Sequence, residues 1–261
     1  MQLEGKRIVL TGAAGGMGEL IALALAAQGA NLVLTDVNEQ RLDRLVTRLG
    51  PPHVGVAADL CAEQGRATLH QVCRDLDGID LLINAAGMSE YKLLEQQSSA
   101  RLELMMTINL VVPMLLIQEM LPMLKMRPEA AIVNMGSTFG SIGHPGFATY
   151  CASKFGLRGF TESLRRELSD TRVQVYYIAP RATRTDMNSP AVVQLNEELG
   201  NTMDDPAVVV DALLQMLVSK SGGDYFLGWP EKLFVRINGL LPKIVDGALG
   251  KQLTTIKRLA G

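Results

Sequence analysis

Tyr150 and Lys154 stand four residues apart in the run Tyr150-Cys151-Ala152-Ser153-Lys154, a spacing that puts both side chains on one face of a helix. A free phenol titrates near about 10, so a tyrosinate that acts as a base at neutral pH needs roughly 4 kcal/mol of preferential stabilisation. A neighbouring ammonium supplies part of it. Alone, such a pair is common on helix surfaces, and its meaning depends on its company. That company begins with Thr11-Gly12-Ala13-Ala14-Gly15-Gly16-Met17-Gly18, which follows an apolar run and precedes a stretch of alanines and leucines. Glycines at a strand-to-helix turn let backbone approach a pyrophosphate, whose charge is met by amide N–H groups and the helix N-terminus. Gly12, Gly16, Met17 and Gly18 are the candidates for that contact. Asp36 closes the second apolar run. A carboxylate there accepts hydrogen bonds from both hydroxyls of an adenosine ribose and repels a 2′-phosphate. The same stretch, reaching Asn38, also fits a plain helix N-cap. No Arg or Lys occupies position 13, 14 or 37, so the expected cofactor is NAD(H), not NADP.

The elements that must position these residues alternate in kind. Ile8-Val9-Leu10, Leu32-Val33-Leu34, Val54-Gly55-Val56, Ile79 to Ile83, Ala131 to Met135, Val173 to Ile178 and Tyr225-Phe226-Leu227 read as strands. Helical periodicity falls between them, including long helices over 98–125 and 148–169 and a further one over 206–220. Seven such strands predict an α/β, doubly wound parallel sheet with helices on both faces. The interval from Ala182 to Asp205 reads as a long loop beyond a strand end, where lids and binding segments lie.

Taken together, Thr11-Gly12 with Gly16 and Gly18, the Asn84-Ala85-Ala86-Gly87 turn, Asn109, Ser137, and Tyr150 with Lys154 resemble the short-chain dehydrogenases/reductases in order and spacing, over roughly residues 5 to 190. The resemblance implies a Rossmann-type domain over 1–228. It implies that Tyr150 exchanges a proton with the substrate oxygen, that Ser137 hydrogen-bonds that oxygen, that Lys154 binds the nicotinamide ribose and lowers the tyrosine pKa, and that Asn109 holds a water of the proton relay. Asp59 and Leu60 look like the pair that contacts adenine. Asn84 resembles the residue that braces the central strands, Ala85 and Ala86 those beneath the cofactor, and Pro180, Thr183 and Thr185 those that hold its carboxamide and phosphates. The implied activity is NAD(H)-dependent interconversion of a secondary alcohol with a ketone or aldehyde. Two other readings stand beside it: a nucleotide-sugar epimerase or dehydratase with bound NAD, whose turn and larger C-terminal domain this chain lacks, and a nucleotide-sensing scaffold, which loss of a catalytic residue would favour.

Two departures from that pattern matter. Pro180-Arg181 stands where the family usually has Pro-Gly, and Arg181 is expected either to point to solvent or to place a cation near the substrate mouth. The C-terminal segment 229–261 is expected to form a helical extension: Leu233, Ile237, Leu240, Leu241, Ile244 and Ala248 recur at helical spacing, with Gly239 and Pro242 dividing two short helices. It carries six cations against two carboxylates in a chain of net charge -2. Such a pair packs on its own domain, forms a dimer contact, or lies on an anionic membrane as a peripheral contact bordering the substrate entrance. Met88, Phe139, Ile142, Phe147, Met187, Val192, Leu195 and Met203 point to an apolar or lipid-like small-molecule substrate, though several fit a plain core equally well. His144 has no evident partner and is left out of the mechanism.

With 48% apolar and 20% charged residues, the composition is that of a globular protein and argues against nucleic acid as a partner. No signal-peptide pattern opens the chain, and the expectation is a cytoplasmic protein. Cys61, Cys73 and Cys151 have no metal-ligand spacing, so no metal is expected. The uncharged stretch from Leu104 to Gln118 is 15 residues, and reads as a buried or interface helix, not a membrane span. By the resemblance, the helices around 100–125 and 150–168 build a homodimer, and the last strand a homotetramer.

Overall fold

A computed structural model of the chain describes residues 1–219 and 222–260. Lys220, where the sequence ends one expected helix, Ser221 and Gly261 lie outside the described residues. Seven strands form one parallel sheet in the order β3-β2-β1-β4-β5-β6-β7: β1 (Arg7–Thr11), β2 (Asn31–Asp36), β3 (Val54–Ala57), β4 (Leu81–Asn84), β5 (Ala130–Met135), β6 (Val173–Ala179) and β7 (Gly223–Phe226). The order reverses between β1 and β4, which are paired through Ile8 with Leu81 and Leu10 with Ile83. A crevice opens at such a switch point outside the strands' carboxyl ends, and ligands of open α/β sheets bind there.

The central strands β1, β2 and β4 are nearly continuous runs of Val, Ile and Leu because both of their faces are buried. On one face Ile8, Leu10, Leu32, Leu34 and Leu81 meet α1 (Gly16–Ala27), α2 (Glu39–Leu49) and α8 (Pro206–Ser219); on the other Val9, Val33, Leu82, Ile132 and Val175 meet α3 (Glu63–Asp75), α5 (Val112–Lys125) and α6 (Ala148–Glu167). This is the predicted doubly wound sheet.

The helix predicted over 98–125 is a single rod broken in character: α4 (Ser99–Met106), a π-helical turn (Thr107–Val111) and α5. At 27 residues the rod is long and apolar enough by composition to cross a bilayer, whereas its uncharged stretch alone reads as too short. One side of it is the packed face, with Met105, Val112, Leu116, Ile117, Met120 and Leu124 buried, while Leu104, Val111 and Met114 stay exposed.

Two expectations are corrected at the C-terminal half. The interval read as a loop from Ala182 to Asp205 contains α7 (Pro190–Glu198), whose N-cap Ser189 accepts a hydrogen bond from the Val192 amide and whose first turn carries Pro190. That Ser-Pro start is a helix signal which the polar residues before it obscured. The tail does form two helices, but the second is not short: α9 (Glu231–Leu240) is followed by the 19-residue α10 (Pro242–Ala260). The stripe read from spacing faces outward, with Leu233, Leu240, Leu241 and Ile244 exposed, and the packed residues are instead Val235, Ile256 and Ala260.

Candidate active site

The glycine turn is built at the end of β1. Gly12 has φ +66, and a Cβ there would come within 2.7 Å of Ala86 Cα; a Cβ on Gly18 would come within 2.0 Å of the Gly12 carbonyl oxygen. These positions are therefore restricted to glycine by conformation and by space. Thr11 Oγ1 accepts from the amides of both Ala85 and Ala86 at 3.0 Å, tying the ends of β1 and β4 together. Beyond Gly16 lies open space, and no side chain caps the helix that starts there, so the first amides of α1, from Gly16, Met17 and Gly18, keep their donors for an anion.

Asp36 ends β2 with its carboxylate oriented by two amides, Ala14 at 3.0 Å and Asn38 at 2.9 Å. Asn38 is itself the N-cap of α2, accepting from the Arg41 amide, so the helix entry and the oriented Asp36 carboxylate coexist in one turn. Arg41, which inspection of positions 13, 14 and 37 passes over, reaches from α2 to Asp186 at 3.4 Å. Asp59 is exposed at the end of β3 and accepts from the Cys61 amide, while Leu60 beside it is buried.

The second group of residues converges at the ends of β4, β5 and β6. Tyr150 and Lys154 lie one turn apart on α6, and the Lys154 ammonium stands 5.8 Å from the centroid of the Tyr150 ring. It donates to the Met135 carbonyl at 2.9 Å and lies 3.7 Å from where a Gly87 Cβ would be. Burial holds the lysine at about 8. Burial also pushes the Tyr150 phenol up to about 12, against which the Ser137 hydroxyl pulls it down. Desolvation is the largest of these influences on Tyr150, because a buried phenolate loses the water that would stabilise its charge.

Asn109 sits in the π-helical turn and is buried. Its Oδ1 accepts from the Met88 amide at 2.8 Å, and its Nδ2 donates to the Met88 carbonyl at 2.9 Å and to Ser153 Oγ at 3.1 Å. The side chain is therefore a clamp between the loop after β4 and α6. Asn84 donates to Asn134, Asn134 to Thr161, and Thr161 to the Leu157 carbonyl, a buried relay that links β4, β5 and α6. Ser137 follows β5 and caps a short turn by accepting from the Phe139 amide. Pro180 accepts from Thr138. Thr183 pairs with Asp204 in an isolated bridge, and Asn188 donates to the carbonyls of Thr183 and Thr185.

Residues that sequence reasoning missed surround this group. Tyr177 on β6 is fully buried, and its hydroxyl lies 3.3 Å from both the amide and the carbonyl of Ser137. A Cβ on Gly136 or Gly140 would fall on its ring or its hydroxyl. Arg181 does not point to solvent: its side chain is only 17% exposed and is bound by Asp204 through two nitrogens and by Glu231 at 3.3 Å. The charged neighbours hold the guanidinium more firmly protonated. Two carboxylates from distant segments explain the outcome, since neither is adjacent in sequence. His144 stacks on Phe139 with ring centroids 5.0 Å apart, and burial lowers its pKa. Of the apolar residues singled out, Ile142, Phe147, Val192 and Leu195 are buried, while Met187 is exposed. A groove of about 880 Å³ opens elsewhere, between α6, β7 and α9, and holds none of the catalytic candidates. Among the described residues no group of His, Cys, Asp or Glu is placed to hold a metal.

The sequence profile described as short chain dehydrogenase matches residues 6–196. The chain belongs to the short-chain dehydrogenase family. It is an oxidoreductase of that family, and its seven-stranded sheet is the family's fold. Nodulation protein G of Rhizobium sp. is 34% identical over 180 residues, 69% of this chain and 74% of that protein. The 3-oxoacyl-acyl-carrier-protein reductase FabG of Vibrio cholerae is 33% identical over 199 residues, 76% of this chain and 80% of that protein. Among solved structures, a short chain dehydrogenase/reductase from Burkholderia phymatum in complex with NAD superimposes with TM-score 0.84 at 22% identity, covering 94% of this chain and 96% of that one. A short-chain dehydrogenase/reductase from Brucella melitensis, described as a glucose/ribitol dehydrogenase, gives TM-score 0.79 at 28% identity, covering 86% and 95%.

Proposed function

We propose that this dehydrogenase uses NAD(H) to interconvert a secondary alcohol with a ketone or aldehyde on an apolar or lipid-like substrate, with Tyr150 as the acid/base. The observation that carries the reading is the convergence of Ser137, Tyr150 and Lys154 at the strand ends, across from a glycine turn and a carboxylate that fit a dinucleotide. The nucleotide, when bound, supplies or accepts the hydride. Gly12, Gly16, Met17 and Gly18 would take its pyrophosphate and Asp36 its adenosine ribose, with Asp59, Leu60, Asn84, Ala85, Ala86, Pro180, Thr183 and Thr185 along its length.

In the reducing direction the Tyr150 phenol, held protonated by burial, donates its proton to the carbonyl oxygen while the Ser137 hydroxyl hydrogen-bonds the same oxygen. Lys154, fixed by the Met135 carbonyl, steadies the resulting phenolate. Asn109 keeps the loop after β4 against α6. The presence of all four residues counts against a catalytically silent scaffold. Phe139, Phe147, Val192 and Leu195 near Tyr150 favour hydrocarbon over a sugar, and so favour this reading over epimerisation.

The exposed residues Leu104, Val111, Met114 and Phe155 on the α4–α5 rod and α6 supply an apolar face for a homodimer. The outward stripe of α9 and the start of α10, with Lys232, Arg236 and Lys243 beside it, suits a peripheral contact with an anionic membrane. A panel of alcohols and ketones assayed with NAD(H) and NADP(H) by nicotinamide absorbance tests the function. Turnover of apolar carbonyls with NADH is expected; turnover of none of the panel overturns it.

A further inference from the structure

The carboxylate of Asp59 is aimed by a chain of hydrogen bonds that begins on a buried cation. Asp59 is exposed after β3 and accepts from the Cys61 amide at 2.9 Å. That N–H belongs to the peptide unit whose oxygen is the Leu60 carbonyl, and this oxygen accepts from Arg66 Nη1 at 3.0 Å in a buried bond. The same nitrogen also donates to the Cys61 carbonyl at 3.2 Å. One peptide plane is therefore held at both ends, by a guanidinium on its oxygen and by Asp59 on its nitrogen. A charged donor on the oxygen polarises the unit and strengthens its N–H as a donor.

Arg66 is itself fixed. It stands in the first turn of α3, is 8% exposed, and donates through Nε to Glu119 Oε1 of α5 at 3.0 Å. Among the described residues the other Glu119 oxygen is buried without a partner, so each member of this pair keeps the other in place. A cation in the first turn opposes the helix dipole, and α3 gains nothing of its own from having one there. Beside it Gly65 lets the helix approach the loop, since a Cβ would come within 2.1 Å of the Asp59 carbonyl oxygen. The Ala58 amide donates to the Asp36 carbonyl at 3.1 Å, which joins the same segment to the residue proposed to take the ribose.

We propose that Arg66 is a positioning residue for adenine recognition: it sets the Leu60–Cys61 peptide and, through it, the segment from Asp59 to Cys61 that reads the base. The inference rests on the reading of Asp59 and Leu60 as the adenine contact and adds the residue that orders them. An exposed carboxylate accepts a hydrogen bond from the exocyclic amine of adenine. Where hypoxanthine replaces adenine, the carboxylate meets an acceptor oxygen instead. Discrimination between the two bases thereby depends on a buried side chain of α3.

The test measures binding of NADH and of reduced nicotinamide hypoxanthine dinucleotide to the full chain by nicotinamide fluorescence. Arg66→Met is made together with Glu119→Gln, so that no carboxylate is left buried without its cation, and is compared with Glu119→Gln alone. The added substitution is expected to weaken NADH about tenfold, the equivalent of one hydrogen bond to a charged group. The hypoxanthine dinucleotide should change much less, so the preference for adenine narrows. Arg66→Lys, whose ammonium can still bond one carbonyl but not make the fork, should keep part of the preference. Equal weakening of both dinucleotides, or of neither, in variants that melt as folded proteins, overturns the proposal. Asp59→Asn separates it from the reading beneath it. A preference lost in Asp59→Asn but untouched by Arg66→Met keeps the adenine contact and removes Arg66; a preference absent from the unaltered chain removes both.

Discussion

The Tyr177 hydroxyl lies 3.3 Å from both the amide nitrogen and the carbonyl oxygen of Ser137, so a fully buried side chain of β6 holds the main chain of the serine that faces Tyr150. Gly136 and Gly140 leave the room for that ring. Tyr177→Phe keeps the ring and removes only the hydroxyl. It should lower kcat about fivefold, the rate equivalent of losing one modest hydrogen bond, with KM for NADH unchanged. A variant with lower melting temperature but undiminished kcat would show that Tyr177 supports the fold and not the serine.

Tyr150→Phe should reduce kcat by about 10²-fold or more while NADH still binds, because general acid/base transfer contributes about 10²–10⁴-fold. Retention of more than about a tenth of kcat removes Tyr150 from the role. The pH dependence follows from the phenol's upward shift to about 12. Below that value the proton stays on, which is the form that reduction needs, so carbonyl reduction should be level between about pH 6 and 8. Alcohol oxidation needs the phenolate, whose fraction grows about tenfold per pH unit below the pKa, and should climb over the same interval. An oxidation profile that is flat there contradicts the assignment.

Asp36 should give a preference for NAD over NADP, since its oriented carboxylate repels a 2′-phosphate. Asp36→Ala should narrow the preference by weakening NAD and admitting NADP. Arg41 sharpens the test, because it is a cation on the first turn of α2, engaged with Asp186. If Arg41 serves a 2′-phosphate, Arg41→Ala will weaken NADP more than NAD; if it only ties α2 to Asp186, both will change alike. Equal kcat/KM for the two cofactors in the unaltered protein rules out the role given to Asp36.

What could be read from the sequence divides along local and distant contacts. The sheet, the glycine turn and the Tyr150–Lys154 face follow from periodicity and spacing, which are local. Arg181 could not be placed that way, because its partners Asp204 and Glu231 are 23 and 50 residues away. The role of Tyr177 is hidden for the same reason: only the fold brings β6 beneath Gly136 and Gly140. The tail stripe shows the limit of periodicity itself. Spacing found an apolar face on α9 and α10, but the buried face was set by what α7 and Tyr91 offer to Ile256.

The outward tail face leads to a salt test. Trp229, Leu240, Leu241 and Ile244 are each more than half exposed, beside Lys232, Arg236 and Lys243, and apolar side chains among cations favour an anionic bilayer surface. The protein should sediment with phosphatidylserine-containing vesicles at low salt and release as salt screens the charges. Leu240→Ser with Leu241→Ser should abolish sedimentation without changing turnover of a short ketone. Sedimentation that is absent at low salt, or equal with uncharged vesicles, excludes an anionic surface as the partner.

Arg181 follows β6, and its guanidinium closes the base of the α7 segment by binding Asp204 through two nitrogens while reaching Glu231 at the start of α9. Removing it leaves two partly buried carboxylates without their cation. Breaking a fully buried pair costs about 3–5 kcal/mol, and the side chains here are 14–24% exposed, so solvent should reduce the cost of Arg181→Ala to about 1–3 kcal/mol. Arg181→Lys should recover only part of this, because an ammonium cannot make the forked contact. Arg181→Ala should raise KM for the carbonyl substrate more than for NADH, since Asp204 also anchors the Thr183 bridge at the foot of the α7 segment. Chemical denaturation and steady-state kinetics on the two variants measure both effects. Undiminished stability in Arg181→Ala would show the triad to be an exposed ion pair in solution, and a rise in KM for NADH alone would place its effect on the nucleotide side of the crevice.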